Sequence, residues 1–448
     1  MIGNDLTQGN VSKTLLRFTV PYIIANVLHT LYGIVDLFIV GRFTDSVQMS
    51  AVSIGSLLML TVNFLVMGLG TGGTVLTGQI FGAKREKDID ETISTIFCAI
   101  PLFAIIIMVL CLALRNPLLR LVHTPAESYT ATEAYFRICL YGMVFTGMFN
   151  AIAAVLRGMG DSKGPTFFIG CSCILNIVGD LICVKGLGWG AAGAAFATSA
   201  AQGCSVLIGF FYLKRRNFPF DFRPRSFRIH KDKLRRLFVI GTPTALQETV
   251  TNISFLVLES IINDMGYIAS AAAGVSDRIF NVAIVPAIAF SNAIAAMVAQ
   301  NIGAGQYARS RKCLRIGLFY SGLISLVIVA IMAFFPAQVI GLFTRDTEVI
   351  RNATEYMTFY KFDMLLFSFA FCTLGYINGT GHTRYTMSIN IISSFAVRLP
   401  IIWGISRMAG VTLYHIGFGL PTASIVQVLL GLAFVFFAKS EREHRKLS

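Results

Sequence analysis

Long apolar segments recur along the chain at short intervals, and they limit what it can fold into. A helix that crosses a lipid bilayer needs about 20 mostly apolar residues. Twelve segments of that length lie between short polar breaks, in a sequence that is 55% hydrophobic and 13% charged. They cover residues 14–40, 51–80, 92–113, 132–156, 165–184, 190–213, 236–263, 269–299, 314–335, 353–377, 385–406 and 411–438. We therefore predict an all-α polytopic membrane protein with twelve transmembrane helices.

The basic residues are concentrated in alternate loops between these segments. If both termini lie in the cytoplasm, the cytoplasmic segments hold 26 Lys and Arg and the opposite side holds seven. Cytoplasmic loops of membrane proteins are enriched in Lys and Arg, so we predict a multi-pass protein of the bacterial inner (plasma) membrane with both ends inside. Topology, rather than nucleic-acid binding, then explains the net charge of +14. The first residues lack the pattern of a cleaved signal peptide.

The two halves of the sequence resemble each other at an offset of about 221 residues. The best matches are Gln79, Gly82 and Ala83 with Gln300, Gly303 and Ala304, and RGMGDSK with NGTGHTR. Such repeats are typical of secondary transporters. We predict an N-terminal six-helix lobe (1–213), a basic cytoplasmic linker (214–235) and a C-terminal six-helix lobe (236–448), with a cavity between the two homologous bundles. The basic linker is either an anionic-lipid site or a segment that fixes orientation, and we interpret it as the latter.

Asp36 lies well inside the first predicted helix, in the sequence LYGIVDLFIVG. A carboxylate at the centre of a membrane helix is unfavourable by about 2.5 to 3.5 kcal/mol on insertion scales, so such residues are functional candidates. No basic residue lies near Asp36 in the sequence. We therefore predict that Asp36 binds a cation or a proton together with groups from other helices.

The fifth and sixth predicted helices supply further oxygen atoms. Asn176 and Asp180 are four residues apart and share a helical face, and Thr198 follows Ala194 by one turn. With Asp36, these residues form an oxygen-only set suited to a small cation such as sodium. Two neighbouring acids are equally suited to sharing protons, which leaves the ion open. As an alternative, Asn176 and Asp180 merely cap or pair at a helix end, since Asp180 lies only five residues from Lys185.

The sequence shows no sign of enzymatic chemistry. It contains neither a GxxxxGK[ST] phosphate loop nor an HExxH zinc motif. We predict that the protein is not an enzyme and needs no cofactor other than its coupling ion.

With these residues placed, the chain resembles the multidrug and toxic compound extrusion (MATE) family over nearly its whole length. The resemblance depends on the patterns PYIIANVLHTLYGIVDLFIVGR, GQIFGA, AQNIGAG and RGMGDSKGPT. It implies two six-helix lobes around a central cavity, and antiport of cationic, amphipathic small molecules against Na⁺ or H⁺. It also implies a cation site in the N-terminal lobe, onto which map Asp36, Asn176, Asp180, Ala194 and Thr198.

The second half departs from one branch of that family, which carries a Glu in its seventh helix and an Asp in its tenth. Here Glu248 comes early relative to Pro243, and Asn252 is nearer the expected place. Asp363 comes about one turn early relative to NGTGHT. We therefore treat Glu248, Asn252 and Asp363 as secondary candidates, for substrate binding.

Three functions are considered for a polytopic chain of this kind. The resemblance implies a secondary active multidrug efflux transporter, for which a monomer in contact with membrane lipids is sufficient. The alternative is a flippase for a lipid-linked saccharide or cell-wall precursor. A flippase often carries more basic residues in its cavity, whereas only Arg137, Arg278, Lys361 and Arg398 lie within the predicted spans away from their cytoplasmic ends. A receptor or scaffold explains neither the repeat nor the intramembrane acids.

Overall fold

The computed structural model describes residues 4–216 and 218–444, and in this range the chain is helical with no β-strand. The α-helices are α1 (Val11–Phe43), α2 (Ser46–Gly82), α3 (Glu86–Ala113), α4 (Arg115–Leu121), α5 (Tyr129–Gly158), α6 (Lys163–Asp180), α7 (Gly190–Arg215), α8 (Lys231–Asn263), α9 (Tyr267–Ala283), α10 (Val285–Gly303), α11 (Tyr307–Phe334), α12 (Pro336–Gly341), α13 (Thr347–Thr380), α14 (Thr383–Ile391), α15 (Leu399–Ser406) and α16 (Leu413–His444). Two π-helical segments, Leu181–Gly186 and Ile392–Arg398, follow α6 and α14. Arg445 and Lys446, which belong to the predicted basic tail, lie outside the described residues.

Eleven helical elements in the described part of the chain are long and apolar enough to cross a membrane. The prediction of an all-α polytopic membrane protein is thereby confirmed. The predicted span 236–263 does form a long helix, α8, but this helix is not among the eleven. It carries a polar stretch, QETVTN, at 247–252 in its middle, and polar groups at membrane depth normally turn toward protein rather than lipid.

Two short helices were not expected from the sequence. Arg115–Leu121 and Pro336–Gly341 each follow the third long helix of a half and begin 221 residues apart. Neither segment has the length of a membrane span, so apolar length alone did not reveal it. Their equivalent positions add a structural match to the sequence repeat.

The described residues form two compact units. The N-terminal unit comprises the residues up to Gln8, Val20–Ala245 and Ala299–Gly305. The C-terminal unit comprises Gly9–Thr19, Leu246–Val298 and the residues from Gln306 onward. Each unit has its own buried apolar core. The division predicted from the sequence, with a linker at 214–235, stays a prediction.

Within the N-terminal unit, the ends of α2 and α10 cross at a pair of glycines. A Cβ atom on Gly82 would lie 2.0 Å from the carbonyl oxygen of Gln300, and one on Gly303 would lie 1.9 Å from that of Gln79. The contact is reciprocal, because the four residues are the ones that the sequence repeat aligns. Only glycine allows two helix backbones to approach this closely, and small residues are what membrane helices use for such contacts.

The basic linker is anchored to α3 of the N-terminal unit. Phe97 of α3 is surrounded by aromatic rings from the linker, namely Phe218, Phe220 and Phe222. Further along, Lys233 Nζ lies 2.8 Å from a carboxylate oxygen of Asp88 and 3.7 Å from one of Glu91. These contacts hold the linker against its own unit.

The glycine crossing predicts which substitutions the fold does not tolerate. We expect Gly82→Ala and Gly303→Ala each to destabilise the protein by about 1–3 kcal/mol, the usual effect of overpacking, because the opposing atom is backbone and cannot rotate away. Thermal unfolding of the detergent-purified variants measures this effect. Gly274→Ala is the control, because a Cβ there meets nothing within 4 Å. Equal unfolding temperatures for the three variants would contradict the prediction.

Candidate cation-binding site

Close packing of α6 against α7 positions the polar residues of the fifth and sixth membrane helices. A Cβ atom on Gly179 would lie 3.0 Å from Cβ of Ala197, so this glycine allows the two helices to approach. One residue further, Asp180 ends α6, and the chain continues as a π-helical segment. Asn176 Nδ2 donates a hydrogen bond of 3.3 Å to Thr198 Oγ1. The pair therefore ties α6 to α7 directly beside Asp180.

Asp36 reaches the same place from α1. Its side chain is buried, and its carboxyl group is close enough to interact directly with that of Asp180. The structure thus brings together four of the five residues of the predicted site through their side chains: Asp36, Asn176, Asp180 and Thr198. Ala194 is fully buried one turn before Thr198 on α7. The cation-binding role of these residues stays a prediction.

Several oxygen atoms of this cluster have no hydrogen-bond partner. They are Asp36 Oδ1, Asn176 Oδ1 and both carboxylate oxygens of Asp180. Buried polar atoms are nearly always paired, so orphaned oxygens at one place indicate groups that are arranged for a ligand. All four are acceptors if the acids are ionised, which is the donor set that a small hard cation prefers. A proton shared by the two carboxyl groups also satisfies them.

No basic side chain neutralises these acids among the described residues. The groups that interact with Asp36 and Asp180 include no Lys or Arg. Lys185, the local partner considered for Asp180, instead places its Nζ 5.1 Å from the centre of the Phe43 ring. The local-pairing alternative for Asp180 therefore finds no support in the geometry.

Three residues beside the site were not predicted from the sequence. Tyr32 lies one turn before Asp36 on α1 and interacts with Thr198, and Tyr135 and Cys139 of α5 lie within electrostatic range of Asp36. Tyr32 had a usable signal, since a residue four positions from a buried acid shares its helical face. The other two are placed by the packing of α5, which leaves no trace in the sequence.

The secondary candidates in the C-terminal unit are not joined to one another. Glu248 is half-buried on α8, and Asn252 of the same helix is partly buried with an unpartnered Oδ1. Asp363 is fully buried on α13. No hydrogen bond among the described residues links any two of these three side chains, and the electrostatic partner of Asp363 is Arg398. A substrate-binding role for the three stays a prediction.

The comparisons with known proteins agree on one family. The MatE family model matches residues 21–182 and 243–403, two blocks that reproduce the repeat. The chain is 26% identical to the probable multidrug resistance protein YoeA of Bacillus subtilis (strain 168), an alignment that covers 100% of this chain and 98% of that one. It is 24% identical to the multidrug export protein MepA of Staphylococcus aureus (strain NCTC 8325 / PS 47), over 90% of this chain and 89% of that one.

The fold is also that of solved structures. A MATE crystal structure in the bent conformation superposes with a TM-score of 0.93 at 21% identity, and the match covers 99% of this chain and 98% of that one. At this level of identity the likeness concerns the fold alone.

The α6–α7 contact predicts how the site responds to a larger side chain. We expect Gly179→Val to raise about tenfold the sodium or proton concentration needed for the half-maximal response of the site. An overpacking cost of about 1.4 kcal/mol at the helix contact corresponds to a tenfold change in a binding constant. Trp189, at the start of α7, reports on this region by fluorescence once the second of the two tryptophans, Trp403, is replaced by Phe.

The titrations use NaCl at pH 8, and acid in sodium-free buffer. Gly170→Val on the same helix is the control, because a Cβ there meets only Leu28 Cδ1, at 3.8 Å. If both variants titrate like the parent protein, the helix contact does not set the geometry of the site.

Proposed function

Because this chain belongs to the MatE family of multidrug efflux transporters, we propose that it exports cationic, amphipathic small molecules by antiport against sodium ions or protons. The observation that carries the proposal is the pair Asp36 and Asp180, two acids in the membrane region. Asp36 Oδ1 and both carboxylate oxygens of Asp180 are unpartnered, and the groups that interact with the two acids include no base. Such a pair needs a positive charge from outside the protein.

The pair also explains how ion binding changes the protein. Two carboxylates this close repel each other when both are ionised, so the cluster is stabilised by one sodium ion or one proton. Binding draws Asp36 of α1 toward Asp180 of α6, and loss of the ion lets them separate. If the exported compound favours the separated state, each ligand lowers the affinity for the other by the same factor. Uptake of the ion then drives release of the compound.

Both ions use the same residues in different ways. Sodium takes oxygen ligands, which Asp36, Asn176, Asp180 and Thr198 offer from their side chains and Ala194 from its carbonyl group. A proton needs only the two carboxyl groups. Neither route requires a cofactor or covalent chemistry, and we propose no enzymatic activity.

The proposed setting is the inner (plasma) membrane of a bacterium, with both termini cytoplasmic and the helices in contact with lipid as a monomer. The uneven distribution of Lys and Arg supports this orientation. The flippase alternative is not favoured, because the curated relatives are described as multidrug proteins.

Removal of either acid charge is expected to abolish coupled export. Asp36→Asn and Asp180→Asn each lower the initial rate of ethidium efflux about tenfold or more, within the range of typical coupling free energies. The rate is measured in proteoliposomes with a sodium gradient alone, then with a proton gradient alone. The gradient that supports efflux identifies the coupling ion. Asp264→Asn is the matched control, since Asp264 is exposed.

Two results would overturn the proposal. One is efflux by the Asp36→Asn and Asp180→Asn proteins at the wild-type rate in both arms. The other is wild-type protein that is correctly folded and transports neither ethidium nor other lipophilic cations under either gradient.

A further inference from the structure

Arg398 is the bulkiest fully buried side chain in the described part of the chain. It closes the π-helical segment Ile392–Arg398, inside a membrane-spanning element. Its Nη1 donates a hydrogen bond of 3.5 Å to Ser254 Oγ, and its Cζ lies 4.3 Å from the centre of the Phe255 ring. These two contacts come from α8 and hold one side of the guanidinium group, whereas Nε and Nη2 have no partner. A fully buried arginine that keeps free donors is unusual, because each unpaired group is costly in a low-dielectric region.

Asp363 of α13 is the acid that faces this arginine. It is also fully buried, neither of its carboxylate oxygens has a hydrogen-bond partner, and Arg398 is the charged group with which it interacts. Among the described residues the two do not form a contact ion pair within 4.0 Å. They are opposite charges in one buried region, close enough to balance each other electrostatically without forming a contact ion pair.

Other polar groups around Asp363 come from several helices. Ser424 of α16 lies beside its carboxylate. The Tyr356 hydroxyl, about two turns before Asp363 on the same face of α13, is buried and unpartnered. The nearby Tyr360 hydroxyl is engaged, since it donates a hydrogen bond of 3.1 Å to Asp277. Asp363, Ser424 and Tyr356 therefore form a second set of oxygen donors, in the C-terminal unit.

The two units neutralise their buried acids differently. In the N-terminal unit Asp36 and Asp180 have no base, so their counter-charge comes from solution. In the C-terminal unit the fifth membrane helix of the half supplies Arg398, the last residue of its π-helical segment. The fifth membrane helix of the first half supplies Asp180, the residue directly before its own π-helical segment. A guanidinium is always protonated and is tied to the chain. The positive charge of Arg398 therefore cannot dissociate during a transport cycle.

We propose that Arg398 is a built-in cation that occupies the cation-binding role at Asp363, so that Asp363 takes up no exchangeable sodium ion or proton. This inference rests on the proposed antiport function and deepens it, because it assigns ion exchange to the N-terminal acids. Removal of the guanidinium would open the Asp363 oxygens to a cation from solution.

The test counts cations bound by the purified full-length protein, independently of transport. Binding of ²²Na⁺ at pH 8 and proton uptake in sodium-free buffer are measured for the wild type, Arg398→Met, Asp363→Asn and the double variant. We expect Arg398→Met to bind one more cation per protein than the wild type, and the double variant to lose it again. Asp363→Asn and Arg398→Lys keep the wild-type count. Arg278→Met is the control, because Arg278 is exposed although it also lies in a span.

The inference is overturned if folded Arg398→Met binds no additional cation, or if Asp363→Asn loses one that the wild type binds. If Arg398→Met does not fold, the double variant decides: restored folding shows that the two charges balance each other, and continued misfolding refutes this. Failure of the antiport proposal gives a different result, in which Asp36→Asn binds as many cations as the wild type. The number of cations bound by Arg398→Met is compared with that bound by the double variant whether or not Asp36→Asn loses a cation.

Discussion

Every buried charge in a membrane helix needs a counter-charge, and this requirement organises both units of the protein. Removing an ion from water into a low-dielectric interior is costly unless a partner of opposite sign is near. The N-terminal unit holds two acids with no base, and the C-terminal unit holds an acid with an arginine. The charge of the first arrangement is balanced only by an ion from outside, whereas the two charges of the second balance each other. That difference is the basis for proposing cation exchange at the N-terminal acids and none at Asp363.

These charges can be placed accurately only because the helices that carry them pack closely. In lipid the backbone is satisfied within each helix, so helices associate through close contact rather than through a hydrophobic driving force. Gly179 brings α6 against Ala197 of α7 and thereby holds Asn176 within reach of Thr198. Gly82 and Gly303 do the same for α2 and α10, with backbone against backbone. Small residues thus set the distances on which the polar chemistry depends.

Much of this arrangement was predictable, because the informative residues are unusual where they stand. Asp36 is conspicuous as an isolated acid in an apolar helix, and the spacing of Asn176 and Asp180 places both on one face. The helical fold follows from segment length. The polar middle of α8 makes that helix like the others in length but not in composition, which is why it is not among the eleven apolar spans of the described chain.

The rest could not be predicted from one sequence, for physical reasons. Arg398 and Asp363 lie on different helices, and nothing in their local patterns indicates that they face each other. Tyr135 and Cys139 reach the acid site through the packing of α5 alone. The π-helical segments have no sequence signature, since a single wide turn depends on the tertiary contacts that stabilise it.

The π-helical segments connect the charges to helix geometry. A π turn breaks the regular hydrogen-bond ladder and shifts the phase of the helix, which makes it a natural place for a helix to rearrange. Asp180 stands directly before the first segment and Arg398 at the end of the second. In the proposed antiport, the local charge at the first segment changes each time a cation binds or leaves, so the repulsion that acts on the turn changes with it. At the second, the arginine is permanent and the charge stays constant. By this proposal an ion alters α6 directly, whereas the charge beside the π-helical segment of the other half stays constant.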